Sequence, residues 1–281
     1  MDLAAVARAN RGMRIREEHV QAFATAQRAG TAATAAPPGG PPTAAPTADL
    51  SATAAPSRRP LAGRRRIIAQ RMHQSLQQMA QLTISQQVDV TECARLREQL
   101  VRLWESAGPR PTYTDFVLRA TALALREHPA LNATLGDEAL VQHETIDVGL
   151  AVDAPEGLIV PVLRSADQLS LRDLARRAAE AAERARANQV RPDELHGGTF
   201  TVTSLGALGI DFFTPIVNPP QVAILGIGRV FPVLALAGDR IEQRSALYLN
   251  LSFDHRALDG APAARFLNRV KALLELPVGL L

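Results

Sequence analysis

The clearest pattern along the chain is a strand that ends in a polar cluster and is followed by a helix. Residues 246–253 alternate, with three leucines and a phenylalanine on one face and tyrosine, asparagine and serine on the other, which predicts a half-buried β-strand. Residues 260–274 place four large apolar side chains at helical spacing. Residues 254–259 therefore lie at a strand–helix junction, from which side chains can reach a cleft while the backbone stays rigid.

The same periodicities predict one α/β domain over residues 60–281. Helices are predicted from residue 63, over 91–104 with a cap at Thr91, from a cap at Thr114 to 127, and from Ser170 onward with Asp173 in its first turn. Strands are predicted over 82–90, 146–152, 158–163, 200–203 and 222–227, with a turn at 153–157. Helices and strands interleave irregularly, which favours a mixed β-sheet covered by helices.

The part of the chain before residue 60 has a different character. Residues 28–59 consist mostly of alanine, proline, threonine and glycine, so they cannot bury enough surface to offset their ordering entropy, and we expect a disordered, flexible linker. Residues 1–27 contain a short basic loop followed by an amphipathic helical pattern. This segment alone is too short to form a stable domain.

Composition excludes several classes of protein. Apolar residues make up 47% of the chain and the net charge is +3, but the basic residues alternate with acidic ones along predicted helices, which argues against nucleic-acid binding. Cys93 is the only cysteine, which excludes an intramolecular disulfide and fits a reducing compartment. The longest apolar run, 222–238, is interrupted by Arg229 and Pro232, so no membrane span is expected.

The N-terminus carries no secretory signal pattern, so we expect a cytoplasmic protein; a mitochondrial matrix protein without its leader would have the same features. The chain contains no CxxC, HExxH or Gly-x-Ser-x-Gly motif, and Gly226-Ile-Gly228 lacks the third glycine of a dinucleotide-binding loop. Sequence motifs therefore give no support to a metal site, a serine hydrolase or a dinucleotide-binding site.

The polar cluster at the junction contains Asp254, His255 and Asp259, and it has two interpretations. His255 could be a core histidine whose ring nitrogens are satisfied by the neighbouring carboxylates. It could equally be a general base that those carboxylates orient.

Three separated motifs resemble one family. His-Arg-x-x-Asp-Gly at 255–260 is similar to the active-site signature of the dihydrolipoamide acyltransferases of 2-oxo acid dehydrogenase complexes. Residues 197–206 and 213–226, which read Gly-Gly-Thr-Phe-Thr-Val-Thr-Ser-Leu-Gly and Phe-Thr-Pro-Ile-Val-Asn-Pro-Pro-Gln-Val-Ala-Ile-Leu-Gly, resemble two further family segments. The resemblance covers about 220 residues. It implies the CoA-dependent acyltransferase fold, which is also that of chloramphenicol acetyltransferase.

The resemblance also implies site residues. His255 would be the general base and Thr203 the donor to the oxyanion, with Ser204 as a neighbouring candidate. Asp259 would orient the site and pair with an arginine near the start of the domain, for which Arg65 is chosen from three adjacent arginines. Asp153 and Asn218 match segments that line the substrate channel, although each could equally be a structural turn residue.

The substrates implied are coenzyme A and an acyl-lipoyl group, without a metal. Lys271 is the only lysine and falls in the last predicted helix, so the lipoyl group must come from another domain or chain. Residues 203–206, Thr-Ser-Leu-Gly, are closer to acetyl-transferring subfamilies of pyruvate or acetoin complexes than to the succinyl-specific pattern. A small-molecule O-acetyltransferase of the same fold and a non-catalytic core scaffold are the alternatives.

The family further implies partners. Its members form homotrimers, with the active site between subunits, and the trimers assemble into cores of 24 or 60 subunits that bind a 2-oxo acid decarboxylase and dihydrolipoamide dehydrogenase. Residues 1–27 resemble the second half of the family's peripheral-subunit-binding domain. The apolar tail 276–281 suits a role in assembly, since it would otherwise be exposed; a frayed monomer terminus is the alternative.

Overall fold

A computed structural model describes Gln21 and residues 60–281 apart from 105–107, 137 and 156. The predicted binding segment at 1–27 and the predicted linker at 28–59 lie outside the described residues, except for Gln21. Within the described part, no helix combines the length and the apolar character needed to cross a membrane.

The described elements alternate irregularly between helix and strand. The helices are α1 (Gly63–Gln78), α2 (Thr91–Trp104), α3 (Tyr113–Glu127), α4 (Leu171–Arg186) and α5 (Gly260–Glu275). The strands are β1 (Gln81–Asp89), β2 (Ala133–Leu135), β3 (Leu140–Gln142), β4 (Val148–Leu150), β5 (Val152–Ala154), β6 (Gly157–Ile159), β7 (Val162–Leu163), β8 (Phe200–Ser204), β9 (Ala223–Ile227), β10 (Phe231–Ala237) and β11 (Arg240–Asp254).

One seven-stranded sheet organises the domain. Its strand order is β1-β11-β9-β8-β4-β7, with β10 paired to the first half of β11. The pairs β4–β8 and β8–β9 are parallel and the other pairs in this sheet are antiparallel. The predicted mixed sheet is therefore confirmed.

Four helices, α2 to α5, share one buried core with this sheet. Leu247, Leu249, Leu251 and Phe253 on β11 belong to the same buried core as apolar side chains of α2, α3, α4 and α5. The ring of Phe266 on α5, for example, lies 5.7 Å from that of Phe200 on β8. The alternating apolar positions of β11 thus dock the C-terminal helix directly behind the strand–helix junction.

The prediction that residues 246–253 form a half-buried strand is wrong for residues 249–253, where both faces of β11 are buried; Tyr248 stays partly exposed. Asn250 and Ser252 are fully or almost fully buried, and their side chains bond across the strand pair to Ser85 at 2.8 Å and Thr83 at 2.7 Å. The Phe213 ring packs so closely on neighbouring Gly226 that a Cβ there would lie 2.8 Å from it. These cross-strand hydrogen bonds satisfy the Asn250 amide oxygen and the Ser252 hydroxyl, which lowers the cost of burying this polar face.

Other boundaries also differ from the predictions. The predicted strands 146–152 and 158–163 each divide in two: β4 and β7 remain in the main sheet, while β5 and β6 form a separate hairpin. The hairpin of β10 with the first half of β11 was not predicted. The sequence feature that predicts it is the turn pair Gly238-Asp239 between two strand-like runs, and Gly238 has a φ of 59° in the structure.

Two helix starts are displaced from the predicted caps. Thr112, rather than Thr114, caps α3 in a capping box: its hydroxyl accepts from the Asp115 N–H at 3.3 Å, and the Asp115 carboxylate accepts from the Thr112 N–H at 2.7 Å. Thr91 is the first residue of α2, and the carboxylate of Asp89 accepts from its N–H at 2.9 Å. The predicted cap at Ser170 and the acidic first turn of α4 are confirmed.

Cys93 is buried, as expected of a small apolar side chain, and its thiol donates to the Leu274 carbonyl at 3.0 Å. Burial, with a contribution from the charge of Glu92, raises the pKa of Cys93 to about 12. We therefore expect no labelling of the native protein by an aromatic disulfide reagent at pH 8, and one thiol per chain after denaturation in guanidinium. Rapid labelling of the native chain would contradict this packing.

Candidate active site at the junction of β11 and α5

His255 directly follows β11 in a tight turn. Its backbone N–H donates to the Ala80 carbonyl at 2.9 Å, just before β1, and the N–H groups of Ala257 and Leu258 donate to the Asp254 carbonyl at 2.9 and 3.3 Å. The His255 side chain is 43% exposed. Its ring contacts that of Phe253, with centroids 5.7 Å apart. The interpretation of His255 as a core histidine is therefore wrong.

The carboxylate of Asp254 is fully buried but does not bond to the histidine ring. It accepts from the backbone N–H of Ala80 at 3.2 Å, from the backbone N–H of Arg256 at 3.1 Å, and from the Arg256 guanidinium at 2.7 to 3.1 Å. Burial alone would raise the pKa of Asp254, but the hydrogen bonds from Arg256 outweigh it and hold that pKa below its ordinary value. The carboxylate is therefore charged at neutral pH.

Asp259 is the N-cap residue of α5, and its side chain makes no capping hydrogen bond. One of its carboxylate oxygens lies 3.8 Å from Nδ1 of His255, and the side chain is 86% exposed. Arg65 lies exposed on α1, and within the described part of the chain it forms no ion pair with Asp259. A single chain thus places Asp259 beside His255 but does not form the expected pair between Asp259 and Arg65.

Thr203 and Ser204 lie at the far end of β8 and are partly buried. Thr203 pairs with Gly226, and Gly226 pairs with Asn250. Since His255 is five residues beyond Asn250, it lies about 17 Å further along the strand direction and about 10 Å across two strand spacings. One chain therefore cannot bring Thr203 and His255 to the same substrate, although two chains could.

Asn218 lies in a segment tied to the His255 end of the sheet. The preceding residue, Val217, donates its N–H to the Gln81 side chain at 3.1 Å and accepts from the Ser75 hydroxyl at 2.6 Å. The Asp254 N–H donates to the Val222 carbonyl at 2.9 Å. Sequence reasoning assigned no role to Ser75 or Gln81. Val217, which both side chains bind, lies 142 and 136 residues away from them along the chain, so no local pattern marks this contact.

Asp153 lies elsewhere, on the β5–β6 hairpin, where it is exposed and pairs with Leu158. The hairpin contacts α1, because the Ile68 side chain lies 3.3 Å from the position that a Cβ would occupy at Gly157. Among the described residues, no group of three or more histidine, cysteine, aspartate or glutamate side chains is placed to hold a metal.

The chain belongs to the 2-oxoacid dehydrogenase acyltransferase family, because that family's catalytic-domain model matches residues 53–281. It is 45% identical over 223 residues to the dihydrolipoyllysine-residue acetyltransferase component of the acetoin cleaving system of Bacillus subtilis. That alignment covers 79% of this chain and 56% of the relative. The chain thus spans little more than half the length of this relative.

Solved structures of the family match the domain along almost their whole length. The dihydrolipoamide acetyltransferase of Azotobacter vinelandii has a TM-score of 0.77 and 37% identity, covering 85% of this chain and 97% of that one. A structure of the cubic core of a pyruvate dehydrogenase multienzyme complex matches with the same TM-score, identity and coverage. These matches confirm the predicted fold class.

The study of the Azotobacter vinelandii enzyme concerns the catalytic roles of a serine, a histidine and an asparagine. The serine precedes the histidine by as many residues as Thr203 precedes His255 in this chain. The asparagine follows the histidine by as many residues as Asp259 follows His255. The three proposed catalytic positions therefore have the spacing of that enzyme, with threonine in place of serine and aspartate in place of asparagine.

Proposed function

We propose that this chain transfers an acyl group, preferably acetyl, between dihydrolipoamide and coenzyme A as the core component of a pyruvate- or acetoin-type 2-oxo acid dehydrogenase complex. The observation that carries the proposal is the exposed His255 at the β11–α5 junction, whose spacing to Thr203 and Asp259 is that of the Azotobacter vinelandii residues. The lipoyl group would come from another domain or chain, since Lys271, the only lysine, lies within α5.

The proposed residues have the chemistry that acyl exchange between thiols needs. A free thiol has a pKa near 8.5, so at neutral pH a base must take its proton as attack begins. His255 would take the proton of the coenzyme A thiol while the sulfur attacks the thioester carbonyl of acyl-dihydrolipoamide. The Thr203 hydroxyl would donate to the resulting oxyanion, with Ser204 as the neighbouring candidate. Collapse breaks the old carbon–sulfur bond, and the imidazolium returns its proton to dihydrolipoamide.

We place this site between two chains of a homotrimer. The sheet register separates Thr203 from His255 within one chain, so His255 of one copy would meet Thr203 of the next. Arg65 and Asp259 would pair in the assembled site, while Asp153 and Asn218 would line the channel. The β10–β11 hairpin supports self-association, because Leu234, Leu236 and Ile241 are exposed on a two-stranded ribbon that needs packing partners.

The trimers would assemble into a 24- or 60-subunit core that binds a 2-oxo acid decarboxylase and dihydrolipoamide dehydrogenase in the bacterial cytoplasm. The likeness to a cubic core favours the 24-subunit form. Leu276, Val278 and Leu281 are exposed, and the first two line a cleft of about 700 Å³. Leu123 and Leu273 line the same cleft, together with the charged side chains of Arg126, Glu127 and Arg269. This apolar end would provide the contact between trimers.

Val278→Asp is expected to reduce the assembly to trimers, because it places a charge in that apolar contact. Analytical ultracentrifugation of the full chain measures the result. Val141→Asp is the matched control, since Val141 is also an exposed valine but lies on β3, and it should leave the large particle intact. Large particles formed by Val278→Asp would exclude the tail from the interface.

The activity is tested by incubating the purified full chain with dihydrolipoamide and acetyl-, isobutyryl- or succinyl-coenzyme A. The proposal expects transfer to dihydrolipoamide, fastest with acetyl. Acetylation of an alcohol such as chloramphenicol, without transfer to dihydrolipoamide, would support the small-molecule acetyltransferase instead. A large particle that transfers to neither acceptor would support the scaffold.

A further inference from the structure

The placement of His255 depends on its backbone rather than on bonds to its ring. Within one chain the ring has a loose 3.8 Å approach to the largely exposed Asp259 and a contact with Phe253. The backbone at His255 is instead held on both sides, by its own N–H bond to Ala80 and by the turn that follows Asp254. Whatever fixes Asp254 and Ala80 therefore fixes the direction in which the imidazole points.

The Asp254 carboxylate joins these two backbone segments. It accepts the Ala80 N–H at 3.2 Å, while the adjacent His255 N–H donates to the Ala80 carbonyl at 2.9 Å, so the end of β11 is bonded to the start of β1 in both directions. It also accepts the N–H of Arg256, the residue after the histidine, at 3.1 Å. The backbone N–H groups of Ala80 and Arg256, on either side of His255 in the structure, therefore donate to the same buried carboxylate.

The guanidinium of Arg256 keeps that carboxylate charged. It binds both carboxylate oxygens, with Nη2 2.7 Å from Oδ2, and its side chain is 49% exposed while that of Asp254 is 0% exposed. A charged acceptor holds backbone N–H groups more strongly than a neutral one, and two-point binding fixes its orientation. Because Arg256 reaches solvent, it can keep its hydration on one side while neutralising the buried charge.

We propose that Asp254, with Arg256, is a positioning residue for the reaction: its carboxylate sets the turn that aims His255 at the substrate. The inference rests on the proposed function, since it assigns Asp254 a role in the same acyl transfer. Asp254 does not touch substrate in this account. Its loss should therefore lower kcat and leave KM for coenzyme A and dihydrolipoamide nearly unchanged.

The domain offers a matched control in Asp147. This aspartate is also buried, lies immediately before β4, and accepts from the Ser165 N–H at 2.8 Å and from the Arg164 guanidinium at 3.2 Å. It has the same kind of partners as Asp254 but none of the proposed catalytic residues in its turn. Equivalent substitutions at Asp147 thus measure what the loss of such a buried pair does to stability alone.

The experiment compares Asp254→Asn and Asp254→Leu with Asp147→Asn and Asp147→Leu in the assembled full chain, well below every Tm. Asparagine keeps an acceptor for the Ala80 N–H, but its amide N–H donors face the N–H donors of the Arg256 guanidinium. Leucine removes every acceptor and lets Arg256 turn to solvent. We expect kcat to fall about 10-fold in Asp254→Asn and about 100-fold in Asp254→Leu, with KM within about twofold of wild type. Both Asp147 variants should have a lower Tm than wild type and a kcat within about twofold of the wild-type value.

Two results would overturn the inference. One is an Asp254→Leu variant that keeps kcat close to that of Asp147→Leu at a similar loss of Tm, which would make the pair merely structural. The other is a rise in KM at unchanged kcat, which would mean that the turn binds substrate. His255→Ala, assayed in parallel, separates these results from failure of the proposed function: if that variant keeps full activity, the acyl-transfer assignment itself falls.

Discussion

Replacing His255 with alanine is expected to lower kcat for acetyl transfer by a factor of about 10² to 10⁴, the range of contributions from a positioned general base. The imidazole is the proposed proton acceptor for the attacking thiol, which is that of dihydrolipoamide in this assay, and its 43% exposure leaves it free to meet that thiol. Because the ring makes few contacts in the fold, the variant should keep its Tm and its assembly. Steady-state assay with acetyl-coenzyme A and dihydrolipoamide measures the loss.

His196→Ala is the matched control for this variant. His196 is also exposed, and Arg164 donates to its backbone carbonyl, which the substitution keeps. Its kcat should stay close to that of wild type. A His255→Ala protein with full activity would remove the general base and, with it, the proposed mechanism.

The second large effect is recovery of activity when two inactive variants are assembled together. Thr203→Ala should lose about 10²- to 10³-fold in kcat through loss of the oxyanion donor. If each site combines His255 of one chain with Thr203 of another, random co-assembly of equal amounts of Thr203→Ala and His255→Ala chains restores about a quarter of the sites. We expect a shared site because the two residues lie far apart along the sheet of one chain.

Co-assembly of His255→Ala with the double variant Thr203→Ala/His255→Ala is the control, because that mixture contains no His255 and should stay inactive. Mass spectrometry of tagged chains establishes that both variants share particles. If mixed particles of the two single variants show no recovery, the site does not combine these residues from different chains.

Local pattern predicted most of the secondary structure but misjudged burial. Alternation in β11 located the strand, and helical spacing located α5, because both patterns follow from the repeat of one element. The same alternation suggested that Asn250 faces solvent. In the structure Asn250 is buried, and the Phe213 ring, which comes from another part of the chain, packs on Gly226, the residue paired with Asn250.

In the candidate site, too, local motifs predicted some features and contacts between distant segments decided others. His255, Asp259 and Thr203 were chosen from motifs, and their spacing matches that of the Azotobacter vinelandii enzyme. The partners that hold the turn were not chosen. Asp254 bonds to Ala80, which is 174 residues away, and no sequence pattern around either residue predicts that bond.

The sequence by itself determined the family, the order of the elements and the residues that carry the proposed chemistry, because motifs and periodicity are properties of short stretches. Only the tertiary structure decided that Asp254 bonds to Arg256 and Ala80 instead of the histidine ring, and that Thr203 and His255 lie at opposite ends of one sheet. Strand order and register set those distances, and both depend on pairings between segments far apart in the chain.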